Sequence, residues 1–379
     1  IPYLNLIFFA IILLSFMNKI LAICTSPDKG GLELYFAKLV NHYNVKYRNI
    51  TAVCRNNSSI TELINSNVFN INKINFINII YLANKIAKYI NKEQINIIHV
   101  SWTKDLLFAV LIKLLCKPKI RIIYYRQMKL TRNKKDIYHK FIYNNIDVII
   151  VITRNLLSEC VRYLPVKKNK IIELPYGISQ LETNKRITKE ELFKKLNLDL
   201  SIFTIGVFSR IEEQKGQHLV IEAINLLHES KIQLLIVGHS MDANYENHLK
   251  HLIDQYDLKN RIKFVPFVNK PMEIMGLLDL IILPTFEETF GLVVAEAMLM
   301  EIPVIGSNKG GVPEIIQDNK TGLLFESKNF HSLKDKISLM IKSKDLRVNL
   351  ANNGKIFANR EYDYQKHFSN LDKIMDNKL

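Results

Sequence analysis

Cysteine is scarce and scattered. The chain has four, Cys24, Cys54, Cys116 and Cys160, and no two stand as C-x-x-C. That spacing gives no support to a zinc site or a redox pair, and apolar neighbours such as Ile23 and Leu115 suit buried thiols in a reducing cytosol. No low-complexity tract interrupts the sequence. Acidic residues are the minority: 36 Asp and Glu stand against 52 Lys and Arg, for a net charge of +16. The imbalance points to an anionic partner, either nucleic acid, an anionic membrane or a phosphorylated substrate. A solvated basic surface explains it as well. No nucleic-acid module pattern accompanies the charge, so nucleic acid is not expected as a partner. With 379 residues, 48% of them hydrophobic, the chain can build about two domains of ~100–200 residues each.

The start lacks methionine. Ile1 to Phe16 is strongly apolar but short for a membrane span. From Met17 the text MNKILAICTSP reads as a natural start running into a buried strand, Ile20 to Cys24. Residues 1–16 are accordingly expected to be a leader outside the natural protein, with the signal-anchor reading as the alternative.

What is present alternates strands with helices. A loop with Gly30-Gly31 separates the first strand from a helix over Glu33 to Asn41; glycines there let backbone amides approach a ligand. Further strands are expected at Ile95 to Val100, Lys119 to Tyr125 and Ile146 to Thr153, with a helix over Asp105 to Cys116. Between them lies a basic segment, Lys129, Arg132, Lys134, Lys135 and Lys140, interleaved with Tyr138, Phe141 and Tyr143. It suits an anionic membrane or acceptor, and equally a solvated helix face. Residues 179–200 are charged and lack strand character, which places a linker there. The alternation resumes at Phe203 to Phe208 and continues through Leu234 to Val237, Ile262 to Val265 and Leu280 to Leu283. This pattern implies parallel sheets with crossover helices. The expected domains are 17–178, the linker 179–200, 201–355, and a C-terminal helix in 356–379 that packs back on the first domain.

The most informative stretch runs from Leu280 to Gly322. An apolar strand ends at Pro284, a polar loop carries Glu288, and a helix over Phe290 to Met300 carries Glu296. A loop at the carboxyl end of a parallel strand is where α/β proteins bind ligands, and a helix N-terminus there suits a phosphate. Two carboxylates beside such an anion site suit a hydroxyl-rich partner such as a sugar or ribose.

These residues resemble retaining glycosyltransferase family four, a group of GT-B fold. Phe208-Ser209-Arg210 with Glu213-Gln214-Lys215-Gly216 resembles the family's arginine–lysine loop. Ile236-Val237-Gly238 resembles the strand and glycine that follow. Glu288 and Glu296, with seven residues between them, form its E-x7-E motif. Ser307 to Glu314, Thr321 to Leu324, and Gly30-Gly31 with Glu33 complete an ordered set covering the chain from Met17 onward. The resemblance implies an α/β protein of two Rossmann-like, doubly wound domains facing across a cleft. It implies a metal-independent enzyme with no cofactor, whose co-substrate is a nucleotide diphosphate-sugar.

By the same resemblance, Arg210 and Lys215 neutralise the leaving diphosphate, a pairing of rigid fork and point charge suited to phosphates. Read alone, the two fit a surface ion pair with Glu212 or Glu213. The amides near Phe290, Gly291 and Leu292, with those of Gly30 and Gly31, would bind the same anion. Glu296 would accept from the ribose and Glu288 from the donor sugar, although each also suits a plain helix or loop position. Phe267 and Val268 follow the strand where the family reads the base. The acceptor side departs from the pattern: Arg126-Gln127-Met128 replaces the family's histidine. His99 and Arg126 are the candidates there, with a buried histidine bonded to backbone as the alternative for His99. The expected reaction moves a sugar, with retention, to a glycan or lipid-linked acceptor in surface polysaccharide or lipopolysaccharide synthesis. The protein would be cytoplasmic or peripheral on the inner membrane face. A GT-B phosphorylase or epimerase, or a non-catalytic nucleotide-sugar-binding subunit, are the alternatives.

Overall fold

A computed structural model describes residues 18–28, 30–46, 50–117, 119–179, 187–227, 231–268 and 270–378. The apolar stretch 1–16 lies outside these residues. The chain divides into two compact units. The first runs to Leu174 and takes in Ser369–Leu379; the second is Pro175–Phe368. The helix Lys189–Leu196, with a Thr188–Glu191 capping box, lies within the stretch expected as a linker.

The first unit holds seven strands: β1 (Ile20–Cys24), β2 (Ile50–Arg55), β3 (Asn67–Ile71), β4 (Ile97–Val100), β5 (Arg121–Arg126), β6 (Val148–Val151) and β7 (Ile171–Glu173). Their order in the sheet is β3-β2-β1-β4-β5-β6-β7, and every pairing is parallel. Ile, Val and Leu dominate the central strands because helices cover both faces of such a sheet. All five residues of β1 are buried.

The second unit repeats this plan with six strands: β8 (Phe203–Phe208), β9 (Ile232–Val237), β10 (Ile262–Val265), β11 (Leu280–Leu283), β12 (Val304–Ser307) and β13 (Leu323–Phe325). The order β10-β9-β8-β11-β12-β13 is again wholly parallel. Its core joins Ile205, Ile236 and Ile282 of the strands to Leu219 and Leu249 of the covering helices.

Each order reverses direction once, between β1 and β4 in the first unit and between β8 and β11 in the second. At such a switch point the crossover helices leave on opposite faces and open a crevice at the carboxyl ends of the strands. The loops after β1, β4, β8 and β11 are therefore where each unit has room for a ligand.

Among the described residues no helix is long and apolar enough to cross a membrane.

Candidate active site

In the second unit the switch point brings together the loop after β8 and the loop after β11. The β8 loop carries Arg210 and then a short 3-10 turn, Glu213–Lys215. Gly216 closes that turn at φ +69°, and a Cβ there would lie 2.2 Å from the Pro284 carbonyl oxygen at the end of β11. Only glycine permits so close a backbone approach in this left-handed conformation. Two hydrogen bonds tie the loops further: Phe286 N donates to the Gln214 carbonyl at 2.9 Å, and Thr285 Oγ1 to the same oxygen at 3.2 Å. The buried Gln217 amide donates to Ser209 Oγ and to the Arg210 carbonyl, which fixes the backbone beneath Arg210.

This bracing puts Lys215 Nζ 2.7 Å from Glu288 Oε2. Both side chains are mostly shielded, with 17% and 25% of their surface exposed. Arg210 pairs with Glu212 at 3.0 Å and is more open. The Glu288 backbone is gripped in turn. Its carbonyl accepts from Gly311 N at 2.7 Å, and its Oε1 from Thr289 N at 3.2 Å. Gly310, at φ +65°, would place a Cβ 2.2 Å from the Glu288 carbonyl oxygen.

The helix after this loop is Leu292–Leu299, shorter at its start than the expected Phe290 to Met300. Gly291 adopts φ +93° and acts as N-cap without a side-chain cap. Phe290 lies in the loop, buried, with its ring edge-on to Tyr176 at 4.9 Å and to Tyr362 at 5.3 Å. Its aromatic character thus serves packing, while the backbone from Phe290 to Leu292 delivers the helix N-terminus to the sheet edge. Glu296 sits half-buried within the helix. Phe267, just past β10, meets the His239 ring at 5.9 Å, and Val268 beside it is half-buried.

In the first unit the loop after β1 is organised by two carboxylates. Asp105, fully buried, accepts from Thr25 N at 2.8 Å and from Thr25 Oγ1 at 2.5 Å. Burial pushes its pKa up to about 6 against these hydrogen bonds. Glu33 accepts from Ser26 Oγ and, at 2.9 Å, from Gly30 N. The Gly30 amide is thus engaged by Glu33. Gly31 is different: it is exposed, and a Cβ there would meet nothing within 4 Å. The unit's own packing sets no demand for glycine at 31.

His99 is fully buried on β4, beside the Tyr125 ring at 6.2 Å, which stacks on Tyr35 at 4.8 Å. Among the described residues neither ring nitrogen has a hydrogen-bond partner, so the backbone partner expected for a buried histidine is not there. Desolvation lowers its pKa to about 3, and the ring is neutral. Arg126 is also interior. It donates to Tyr124 Oη and to the Lys129 carbonyl, each at 3.0 Å, and so holds the loop after β5 in place. Both side chains are buried, so neither is open to direct contact from solvent.

Sequence reasoning did not foresee Asp105 or Gln217, or the direct pairing of Lys215 with Glu288. The Thr25–Asp105 and Lys215–Glu288 bonds join loops far apart in the chain, and Gln217 reaches back seven and eight residues to Arg210 and Ser209; no spacing in the chain signals them. The described residues contain no cluster of three or more His, Cys, Asp or Glu able to hold a metal ion.

Comparison with known proteins bears on the fold and the second unit. Residues 188–357 match the family model described as Glycosyl transferases group 1. An uncharacterized glycosyltransferase of Methanocaldococcus jannaschii is 25% identical over 361 residues, covering 92% of this chain and 95% of that protein. The capsular polysaccharide biosynthesis glycosyltransferase CapM of Staphylococcus aureus is 27% identical, over 60% of each chain. Among solved structures, Anabaena HepE in complex with UDP and glucose superposes with a TM-score of 0.82, at 18% identity, over 95% of this chain and all of that one. The fold is therefore GT-B, two Rossmann-like α/β domains, and the stretch that matches the group 1 model lies within the second of them.

Proposed function

We propose that this protein transfers a sugar from a nucleotide diphosphate-sugar to a glycan or lipid-linked acceptor, with retention at the anomeric carbon. The observation that carries this reading is the Lys215–Glu288 pair, built at the β8/β11 switch point by bracing between two loops. A cation for a phosphate and a carboxylate for a hydroxyl are held side by side, as a sugar bonded to a diphosphate requires. Lys215 and Arg210 neutralise the charge that develops on the departing diphosphate, and the uncapped helix start at Gly291–Leu292 adds backbone donors. Transfer on this reading draws its positive charge from side chains and amides, without a divalent metal. Glu296 accepts from the ribose, Glu288 orients the donor sugar, and Phe267 and Val268 flank the base. Gly30 and Gly31 extend the same reading to the first unit. HepE, solved with UDP and glucose, and CapM, named for capsular polysaccharide synthesis, support a nucleotide-sugar donor and a surface-polysaccharide product. The enzyme then works at the inner face of the membrane that carries the acceptor.

Thermal-shift measurements with UDP, GDP and ADP test the donor site. The cognate nucleotide raises Tm by mass action, and no response to any of the three sinks the reading. Glu288→Gln should lower transfer by ~10²-fold or more while nucleotide affinity stays near that of the parent. Unchanged transfer would remove Glu288 from its role. A requirement for free phosphate in turnover would instead point to phosphorolysis.

A further inference from the structure

The loops after β3 and β5 share a character that donor chemistry does not explain. After β3, Phe76 is 96% exposed and Ile77 91%, and Ile80 and Tyr81 stand open at the start of the helix Ile79–Glu93. After β5, Ile137 is 86% exposed, and Tyr138 and Phe141 lie open on the same face of the helix Ile137–Asn144. Single exposed apolar side chains are ordinary, but two contiguous groups of bulky ones mark an interaction surface.

The charge is concentrated in the same places. Residues 72–92 and 128–143 contain nine Lys and Arg against the single Asp136. These 37 residues, a tenth of the chain, carry +8 of its net +16.

Topology places the two groups together. In a parallel sheet all carboxyl ends lie on one edge, so the loops after β3 and β5 emerge on the same edge. The order β3-β2-β1-β4-β5 sets them four strand spacings apart, ~19 Å at ~4.8 Å each. Between them lie the loop after β1, with Gly30 and Gly31, and the end of β4.

We infer that this edge of the first unit is a docking surface for an anionic lipid bilayer. Isoleucine and phenylalanine insert at the level of the acyl chains, and the lysines around them meet lipid phosphates, the arrangement of an interfacial protein surface. Phe76, Tyr81, Tyr138 and Phe141 offer rings on which bases could stack, but the branched aliphatics Ile77, Ile80 and Ile137 exposed beside them suit acyl chains, which favours lipid over a polyanionic chain. The bilayer then lies alongside the β1 loop, and a lipid-linked acceptor reaches the enzyme without leaving the membrane. The inference rests on the membrane placement proposed above and not on the donor chemistry.

The test is co-sedimentation of the full chain with vesicles of phosphatidylcholine alone or mixed with phosphatidylglycerol. The protein is expected to partition onto the mixed vesicles, more weakly at high salt, and to ignore the neutral ones. Lys135→Glu with Lys140→Glu should weaken binding at least about thirtyfold. Phe76→Ser with Ile77→Ser should abolish the binding that survives high salt. All of these positions are exposed, so the variants should keep the parent's Tm and nucleotide shift. Equal partition onto both vesicle types, or variants that bind as the parent does, would overturn the proposal. So would a solution dimer that Phe76→Ser dissociates, since a second copy would then cover the face. If vesicle binding holds and no nucleotide raises Tm, the donor reading fails and the docking surface stands.

Discussion

Lys215 and Glu288 each serve as the other's counter-ion before any donor arrives. On the proposed reading, a diphosphate entering the site would draw Lys215 toward itself and release Glu288 to accept from a hydroxyl. Lys215→Met should lower transfer by ~10²–10³-fold, because a donor aimed at developing charge is lost. Stability should change by no more than ~1 kcal/mol, since both groups of the pair retain some contact with water. Measuring kcat/KM beside Tm separates the two effects; a large fall in Tm would make Lys215 a structural residue. Gly310 gives the complementary case. Gly310→Ala meets the Glu288 carbonyl oxygen at 2.2 Å and adopts φ +65°. The variant should lose ~1–3 kcal/mol of stability and donor affinity together, because the backbone that holds Glu288 must shift. Retained nucleotide affinity would show that the loop tolerates the shift.

At the scale of elements, most of the fold was legible. The strands Ile20–Cys24, Phe203–Phe208, Ile262–Val265 and Leu280–Leu283 lie where their apolar runs put them. Short buried runs bounded by polar residues carry their own limits. Helix ends were less legible, as at Gly291, where a left-handed residue delays the helix although the composition from Phe290 onward favours it. The loops after β8 and β11 could be placed because each follows a short apolar strand at a fixed spacing. The interior of the first unit was not legible. Asp105 reaches Thr25 across 80 residues, and such a bond leaves no periodic trace.

Asp105 and His99 give that interior a pH signature. The folded pKa of Asp105, about 6, lies above the ordinary 3.8. Its contribution is therefore fully present below about pH 4 and lost as pH rises through 6. The folded pKa of His99, about 3, lies below the ordinary 6.5. Its contribution is present above pH 6.5 and lost as pH falls toward 3. Between about pH 4 and 6 the two slopes oppose each other and nearly cancel. Asp105→Asn should expose the histidine slope, so that stability falls on acidification by up to ~1.4 kcal/mol per pH unit. His99→Asn should expose the opposite slope, with stability rising toward pH 4. Denaturant melts at pH 4, 5 and 6 decide it; parallel profiles for both variants and the parent would remove these two groups from the pH dependence.

At the scale of the molecule, the chain leaves its first unit at Leu174 and returns to it at Ser369. The returning segment is tightly held. Arg121 donates to the Met375 carbonyl at 2.7 Å, the Ile374 carbonyl at 3.3 Å and Asn377 Oδ1 at 3.2 Å. Tyr43 Oη donates to Asp372 at 2.9 Å, and Asn18 to Asp376 at 2.7 Å. Leu371, Ile374 and Met375 are buried. Burial of three such side chains stabilises by ~1.5–3 kcal/mol each, a sum comparable to the whole stability of an ordinary domain. Removing residues 369–379 should therefore unfold or strongly destabilise the first unit. The second unit keeps Arg210, Lys215, Glu288 and Glu296 and draws its core from its own strands and helices. The truncated protein should then show two separated thermal transitions, the upper one still raised by the cognate nucleotide. A single cooperative transition that loses its nucleotide response would show instead that the donor site depends on the first unit for its stability.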